Sequence, residues 1–270
     1  FSGQLGEAID IEVEAARDLG IRATLVRGSI SLGTDDGGLP PQVYVQSGEE
    51  ILADSERVVK AYHDSGEGAM TQIALGPVSP FSVTPENMRE SAVLARTLGV
   101  RLHTHLAESV DEDAFFVEHL GRRTLDYFDE VGWLTDRTWF AHAIHLDDDD
   151  VARLGHHRVG IAHCPTSNMR LASGICRGLE LERAGCSVGL GVDGSASNDG
   201  SSLIAEARMS LLAERLRYGA EAITPLTVLR WGTQGSAGAL GRHDIGSIEV
   251  GKQADLAMFT LDDIRFSGHH

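Results

Sequence analysis

Long stretches of the chain repeat apolar residues at helical spacing, and between them stand short runs that are apolar almost throughout. Residues 4–19 place Leu5, Ile9, Val13, Ala16 and Leu19 along one helix face, and Gly20 stops the run. IRATLVRGSI at 21–30 follows as a strand. After a Gly- and Pro-rich loop at 33–41, the pattern predicts a helix over 48–64 and a strand over 71–76. Thr84, Pro85 and Glu86 mark a helix start with proline in the first helical position, and that helix runs to Gly99. Strands are then predicted at 100–108, 138–143, 159–164 and 186–193, separated by helices at 111–131, 147–155 and 177–184. Amphipathic helices at 202–217 and from Pro225 to Leu240 come next, and GSIEVGKQADLAMF at 246–259 reads as a turn-rich β-segment.

Six strands alternating with helices predict an α/β fold of βα units on a parallel sheet. Such units build either an open doubly wound sheet or most of a barrel. Barrels carry reactive side chains at the C-terminal ends of several strands. His105, His142, His163 and Asp193 each fall at the end of a predicted strand, and no GxGxxG dinucleotide fingerprint follows any of them, so the barrel is the better reading.

Charge narrows the partners. The 270 residues hold 23 Lys plus Arg against 40 Asp plus Glu, a net charge of −17. That balance repels phosphate backbones and anionic lipid, which argues against nucleic acid and membrane and for a small-molecule substrate. No apolar run approaches the ~20 residues that span a bilayer. Cys164, Cys176 and Cys186 form no CxxC pair, which points to a reducing, cytoplasmic location. The sequence opens FSGQ without Met and stops at FSGHH, so it reads as an excerpt of a longer protein.

The strand ends carry the chemistry. In VRLHTHLAES, strand alternation turns His103 and His105 the same way, with Glu108 in the loop beyond. Imidazole beside a carboxylate offers a metal ligand and a proton carrier; the plainer alternative is a polar strand edge. WFAHAIHLDD places His142 at a strand end and His145 just after it, and either could simply cap or pack. GIAHCPTSNMRL holds His163, Cys164, Thr166, Ser167 and Asn168 in a Pro-turned loop, where ordinary loop hydrogen bonding is the alternative. No base partner near Cys164 favours it as a nucleophile. Asp193 in GLGVDGSASN could ligate a divalent ion or take a proton from its water, or could belong to a simple Asp-Gly turn.

HTHLAE, AHAIHL, AHCPTSN and VDGSASN, in this order, resemble the amidohydrolase superfamily, in particular its aminohydrolase branch of nucleobase and triazine deaminases. SLGTDDGGLPP at 31–41 and PVSPFSVTPENMRESAVLAR at 77–96 look most like the 8-oxoguanine deaminases, with isoxanthopterin deaminases and hydroxyatrazine aminohydrolases similar in appearance. The resemblance implies a distorted (β/α)8 barrel with a small β-sandwich. The six strands become strands three to eight, residues 1–244 a partial barrel, and 245–270 the start of the return to the sandwich.

By the same resemblance, His105 and Asp193 are metal ligands, and Glu108, His142 and Asp193 are the catalytic groups, with Glu108 and His142 also meeting substrate. The first-strand HxH pair is absent from this sequence, and the HTH at 103–105 cannot replace it because it carries the downstream LAE. Arg27 is a candidate donor to a substrate carbonyl, with a surface salt bridge as the alternative. The implied cofactor is one divalent metal, Zn2+ or alternatively Fe2+. The implied activity is deamination of a purine-like heterocycle, 8-oxoguanine first, by a homo-oligomer. Isoxanthopterin, guanine or hydroxyatrazine are alternative substrates, and a non-catalytic binding barrel is the remote one.

Overall fold

A computed structural model describes residues 7–262. Six parallel strands, β1 (Ala23–Ser29), β2 (Thr71–Pro77), β3 (Arg101–Leu106), β4 (Thr138–His142), β5 (Gly160–His163) and β6 (Ser187–Leu190), pair in the order of the sequence. Between and after them run α1 (Ala8–Leu19), α2 (Gly48–Tyr62), α3 (Pro85–Leu98), α4 (Asp111–Leu120), α5 (Thr124–Glu130), α6 (Asp148–His156), α7 (Pro165–Arg170), α8 (Gly178–Ala184), α9 (Leu203–Tyr218), α10 (Pro225–Arg230) and α11 (Ser236–Ala239). A doubly wound sheet would reverse its strand order at a switch point. Here each crossover returns to the adjacent strand, which is the winding of a barrel wall.

Strand alternation sorts the side chains into two layers. Ile73, Leu75, Leu102, Phe140, Ile161 and Val188 join Val13, Val58, Met88, Phe128, Leu154 and Leu181 of the helices in one continuous buried cluster. Each such large apolar side chain contributes about 1.5–3 kcal/mol when removed from water. The opposite, inner face carries a smaller cluster of Ala74 and Trp139 with Val26 and Ala162, closed by Ala239 and Leu240 of the C-terminal helical run. α11 runs along β6 from Ser236, whose hydroxyl accepts from the Leu190 N–H at 3.1 Å, and ends beside the starts of β3 and β5, where Arg101 donates to the Ala239 carbonyl at 3.0 Å. Gly160 allows that approach, since a Cβ there would stand 2.8 Å from Ala239 Cα.

Local signals set the helix ends. Ser47 with Glu50 and Asp147 with Asp150 form capping boxes, and Thr84 caps α3 ahead of Pro85. The helix expected over 111–131 breaks in two because Gly121, at φ +68°, ends α4 in a left-handed cap. The loop expected after β5 is instead the short helix α7. From Pro225 onward the helix widens to a π-turn at Trp231–Gly235 before α11. The segment 246–259 forms a turn at 250–251 but no strand among the described residues. A strand needs a partner ladder, and Leu256, Met258 and Phe259 stand exposed without one. The FSGHH ending and Leu5 of the first predicted helix lie outside the described residues. No helix among the described residues is long and apolar enough to cross a membrane.

Candidate active site

Parallel strands deliver their C-terminal ends to one rim, and three residues from that rim converge. One ligand-capable atom from each of His105, His142 and Asp193 lies within 4.8 Å of the others. His105 belongs to β3 and His142 ends β4, while β6 stops at Leu190 and leaves Asp193 in the loop beyond. The two imidazoles stack at 5.4 Å. His142 Nε2 lies 3.8 Å from Glu108 Oε1 and 3.9 Å from Asp193 Oδ2. Left-handed backbone makes this meeting possible: Ala107, His142, Ala143 and Asp193 have φ of 50°, 71°, 51° and 62°. By alternation His142 would follow Phe140 to the helix side, and the left-handed turn redirects it to the rim. Such conformations cost roughly 1–3 kcal/mol each and gather where the chain must aim a side chain.

Hydrogen bonds orient each member. His105 Nδ1 donates to the Val78 carbonyl at 2.5 Å, and because a carbonyl only accepts, Nε2 keeps its lone pair free. His142 Nδ1 donates to Asn168 Oδ1 at 2.8 Å, which again leaves Nε2 facing the cluster. Asp193 Oδ2 accepts from Ser167 Oγ at 2.5 Å and from Ser197 Oγ at 3.3 Å. α7 thus presents Ser167 and Asn168 from one short turn. Glu206 of α9 accepts from the Thr166 N–H at 3.1 Å and from Asn198 Nδ2 at 2.8 Å, tying α7 to the loop after β6. Sequence reasoning missed Ser197 and Glu206. The available signal was an acid on the buried stripe Glu206, Ser210 and Glu214 of an amphipathic helix.

The electrostatics suit coordination, which needs neutral imidazole. Burial, reinforced by His142, depresses the basicity of His105, and burial with His105 beside it pushes His103 down to about 4. Burial pushes the Asp193 carboxyl up, but the Ser167 hydroxyl, the Gly194 N–H and the two histidines outweigh it and hold it below the usual range. Burial raises the Cys164 thiol far above its ordinary value, which removes it as a nucleophile.

The other candidates stand apart from this cluster. His103 stacks on Trp139 at 4.7 Å and donates to its carbonyl at 3.0 Å. His145 is held by the Ser173 carbonyl at 2.7 Å, so of the two histidines in AHAIHL it is the structural one. His163 is fully buried with its ring edge-on to Trp231. Arg27 shares the helix-facing side of β1 with Leu25, is 5% exposed, and bonds Asp54 at 2.9 Å and Gln46 at 3.0 Å. Its guanidinium is engaged by Asp54 of α2 and by Gln46 just ahead of that helix. An arginine on a strand reaches whichever layer its parity selects, and position 27 selects the helices.

Two imidazole nitrogens and a carboxylate, with the His105 tautomer fixed by a carbonyl, are a donor set that fits a divalent metal of the zinc kind. The sequence profile of the amidohydrolase family matches residues 3–268. The 8-oxoguanine deaminase of Pseudomonas aeruginosa is 60% identical over 270 residues, covering 100% of this chain and 60% of that protein. An isoxanthopterin deaminase from an unknown prokaryotic organism is 36% identical over 287 residues, covering 100% and 60%. Among solved structures, atrazine chlorohydrolase from Arthrobacter aurescens TC1 complexed with zinc superposes with a TM-score of 0.92 at 34% identity, covering 98% of this chain and 59% of that one. The chain therefore spans about 60% of the length of the curated relatives it matches. With strand-end histidines and a carboxylate on the rim of a parallel barrel wall, and a profile match over nearly its whole length, the chain belongs to the amidohydrolase family.

Proposed function

We propose that the protein hydrolytically deaminates an aminated purine-like heterocycle, 8-oxoguanine before others, yielding urate and ammonia. The observation that carries this is the approach of His105, His142 and Asp193 within 4.8 Å, with Glu108 3.8 Å from His142. The 60% identity to an 8-oxoguanine deaminase supports the substrate, and the zinc in a relative's structure supports Zn2+ over Fe2+. His105 Nε2 and an Asp193 oxygen would hold the metal. The HxH pair that the resemblance adds is not in residues 1–270, and we place it in the part of the protein that this chain does not span. Residues 1–244 are then a partial barrel and 245–270 the beginning of a second, smaller unit.

When bound, the metal makes a water acidic enough to react at neutral pH, lowering its pKa from 15.7 to roughly 7. Asp193 and His142 accept the proton of the attacking water, His142 through the Nε2 that Asn168 leaves free. Glu108, partly exposed at the mouth, gives its proton to the ring nitrogen beside the attacked carbon; the proton held by Asp193 and His142 passes to the departing amine, and as ammonia leaves the hydroxyl left on that carbon returns a proton to Glu108. The three buried free cysteines fit a cytoplasmic setting. The test is steady-state ammonia release by the full-length protein on guanine, 8-oxoguanine, isoxanthopterin and hydroxyatrazine, with metal analysis of the same preparation. Fastest turnover on 8-oxoguanine with about one zinc per active site is expected. Chloride release from a chlorotriazine, without ammonia from any purine, would overturn the proposal.

A further inference from the structure

Glu112 is a carboxylate in an odd place. It lies in the first turn of α4, is 3% exposed, and among the described residues no cation pairs with it. Its neighbour Asp113 does have one, bonding Arg123 at 3.0 Å. A buried carboxylate without a cation is costly unless hydrogen bonds replace its hydration. Glu112 has two, and both come from the backbone that carries Glu108. Oε1 accepts from the Ala107 N–H at 2.7 Å, and Oε2 accepts from the Glu108 N–H at 3.0 Å.

That backbone needs holding. Ala107 sits at φ 50°, a left-handed conformation that a residue with a Cβ adopts only when its surroundings impose it. The far side of the turn is already secured: the Ala107 carbonyl accepts from the Ile144 and His145 N–H groups at 3.1 and 3.0 Å, and the Leu106 carbonyl accepts from the Ala143 N–H at 2.9 Å. Those bonds fix the carbonyls to the segment after β4. Because each peptide is planar, its N–H then points the opposite way, toward the first turn of α4, and needs an acceptor there. A carboxylate fits that need better than an amide, because both its oxygens accept, whereas a glutamine presents one oxygen and turns its NH2 toward the second N–H.

We infer that Glu112 is a positioning residue that clamps the two peptide groups flanking Ala107, one with each carboxylate oxygen, and thereby sets the direction in which Glu108 reaches the reacting atoms. The inference rests on the reading of Glu108 as the proton carrier. It identifies no new contact with substrate; it assigns Glu112 the task of keeping Glu108 within reach of His142. A misplacement of about 1 Å at a reacting group can cost on the order of 10²-fold in rate.

The experiment is a double-mutant cycle in the full-length, metal-loaded enzyme, using Glu112→Gln, Glu108→Gln and the pair together, with ammonia release from 8-oxoguanine as the readout. Glu112→Gln should lower kcat by at least about tenfold, with KM and metal content close to the parent values. In the Glu108→Gln background the same substitution should add less than about twofold, because a mispositioned group that is already absent has nothing further to lose. A merely structural role would cost the same in both backgrounds. Normal turnover in Glu112→Gln, or losses that multiply, overturns the positioning role. Full activity in Glu108→Gln overturns the underlying reading of Glu108 and leaves the clamp to be judged by amide exchange. In the unsubstituted protein the Ala107 and Glu108 amides should exchange slowly with solvent. Exchange as fast as in an open loop would overturn the clamp even if no variant folds.

Discussion

His142 keeps a defined tautomer because Asn168 accepts its Nδ1 proton, and both residues are buried. In Asn168→Ala that N–H loses its acceptor, at a cost of about 1–3 kcal/mol, and the ring is free to turn. Turnover should fall about 10- to 100-fold while zinc content stays near the parent level, measured on one preparation by ammonia release and metal analysis. Arg27 makes the opposite case. Its partner Asp54 is 20% exposed and also pairs with Arg57, so Arg27→Met should destabilise the fold by about 3 kcal/mol, near the lower end of the range for breaking a buried pair. KM for the heterocycle should not change in the folded fraction; a rise of tenfold or more would return Arg27 to the substrate site. The residue type alone could not separate these roles, because a guanidinium serves a carboxylate and a carbonyl equally well.

At the scale of elements, the strands and most helices were legible because each carries its own periodicity and its own stop. What the pattern could not carry is how closely two elements approach. Gly235 ends the π-turn against β6, and a Cβ there would stand 1.9 Å from the Val188 carbonyl oxygen. Gly235→Ala should therefore force the π-turn and α11 away from the sheet and cost about 1–3 kcal/mol or more, read as a lower denaturant midpoint with an unchanged slope. No loss of stability would mean that the C-terminal helical run packs less tightly than its contacts with β6 indicate. α7 escaped the pattern for a related reason. Its six residues are too few for a period, and Pro165 reads equally as a turn and as a helix start.

The whole molecule carries buried acids whose effect appears only in its stability. Burial pushes Glu214 on α9 up to about 7 from an ordinary 4.5, against the Gly178 and Leu179 N–H groups, neither of which makes a full hydrogen bond to it. Arg217, Glu180, Tyr218 and Cys176 are the other titratable groups near it. Between pH 4.5 and about 7 the folded state holds this proton and the unfolded state does not, so stability falls as pH rises through that window and levels off above it. The full effect is on the order of 3 kcal/mol. Burial pushes Glu112 up as well, opposed by the Ala107 and Glu108 N–H bonds that favour its ionised form. Asp10, held at about 2 chiefly by Arg57, acts elsewhere: what it contributes is lost as pH falls from about 3.8 toward 2. Glu214→Gln should flatten, without abolishing, the decline between pH 4.5 and 7 in denaturation midpoints. An unchanged profile would show that Glu214 ionises as an exposed acid does.

Strand number, sheet class and the three positions that converge at the rim could be read along the chain, because each rests on local order: a period of two or 3.6, a glycine stop, a histidine or aspartate at a strand end. The four motifs together also pointed to the family. Only the tertiary structure decided which of these residues share a site. His103 and His105 point the same way, but only His105 joins His142 and Asp193, because Trp139 covers His103 and holds its Nδ1 proton. His142 reaches the rim through a left-handed φ that no one-dimensional pattern announces. Arg27 turned to α2, and Glu112, unremarkable as one acid in a run of three, came to rest under the peptide of Glu108. Proximity between residues distant along the chain, and the direction of a side chain at the end of a strand, depend on how the layers pack, and that is settled only when the strands have found their neighbours.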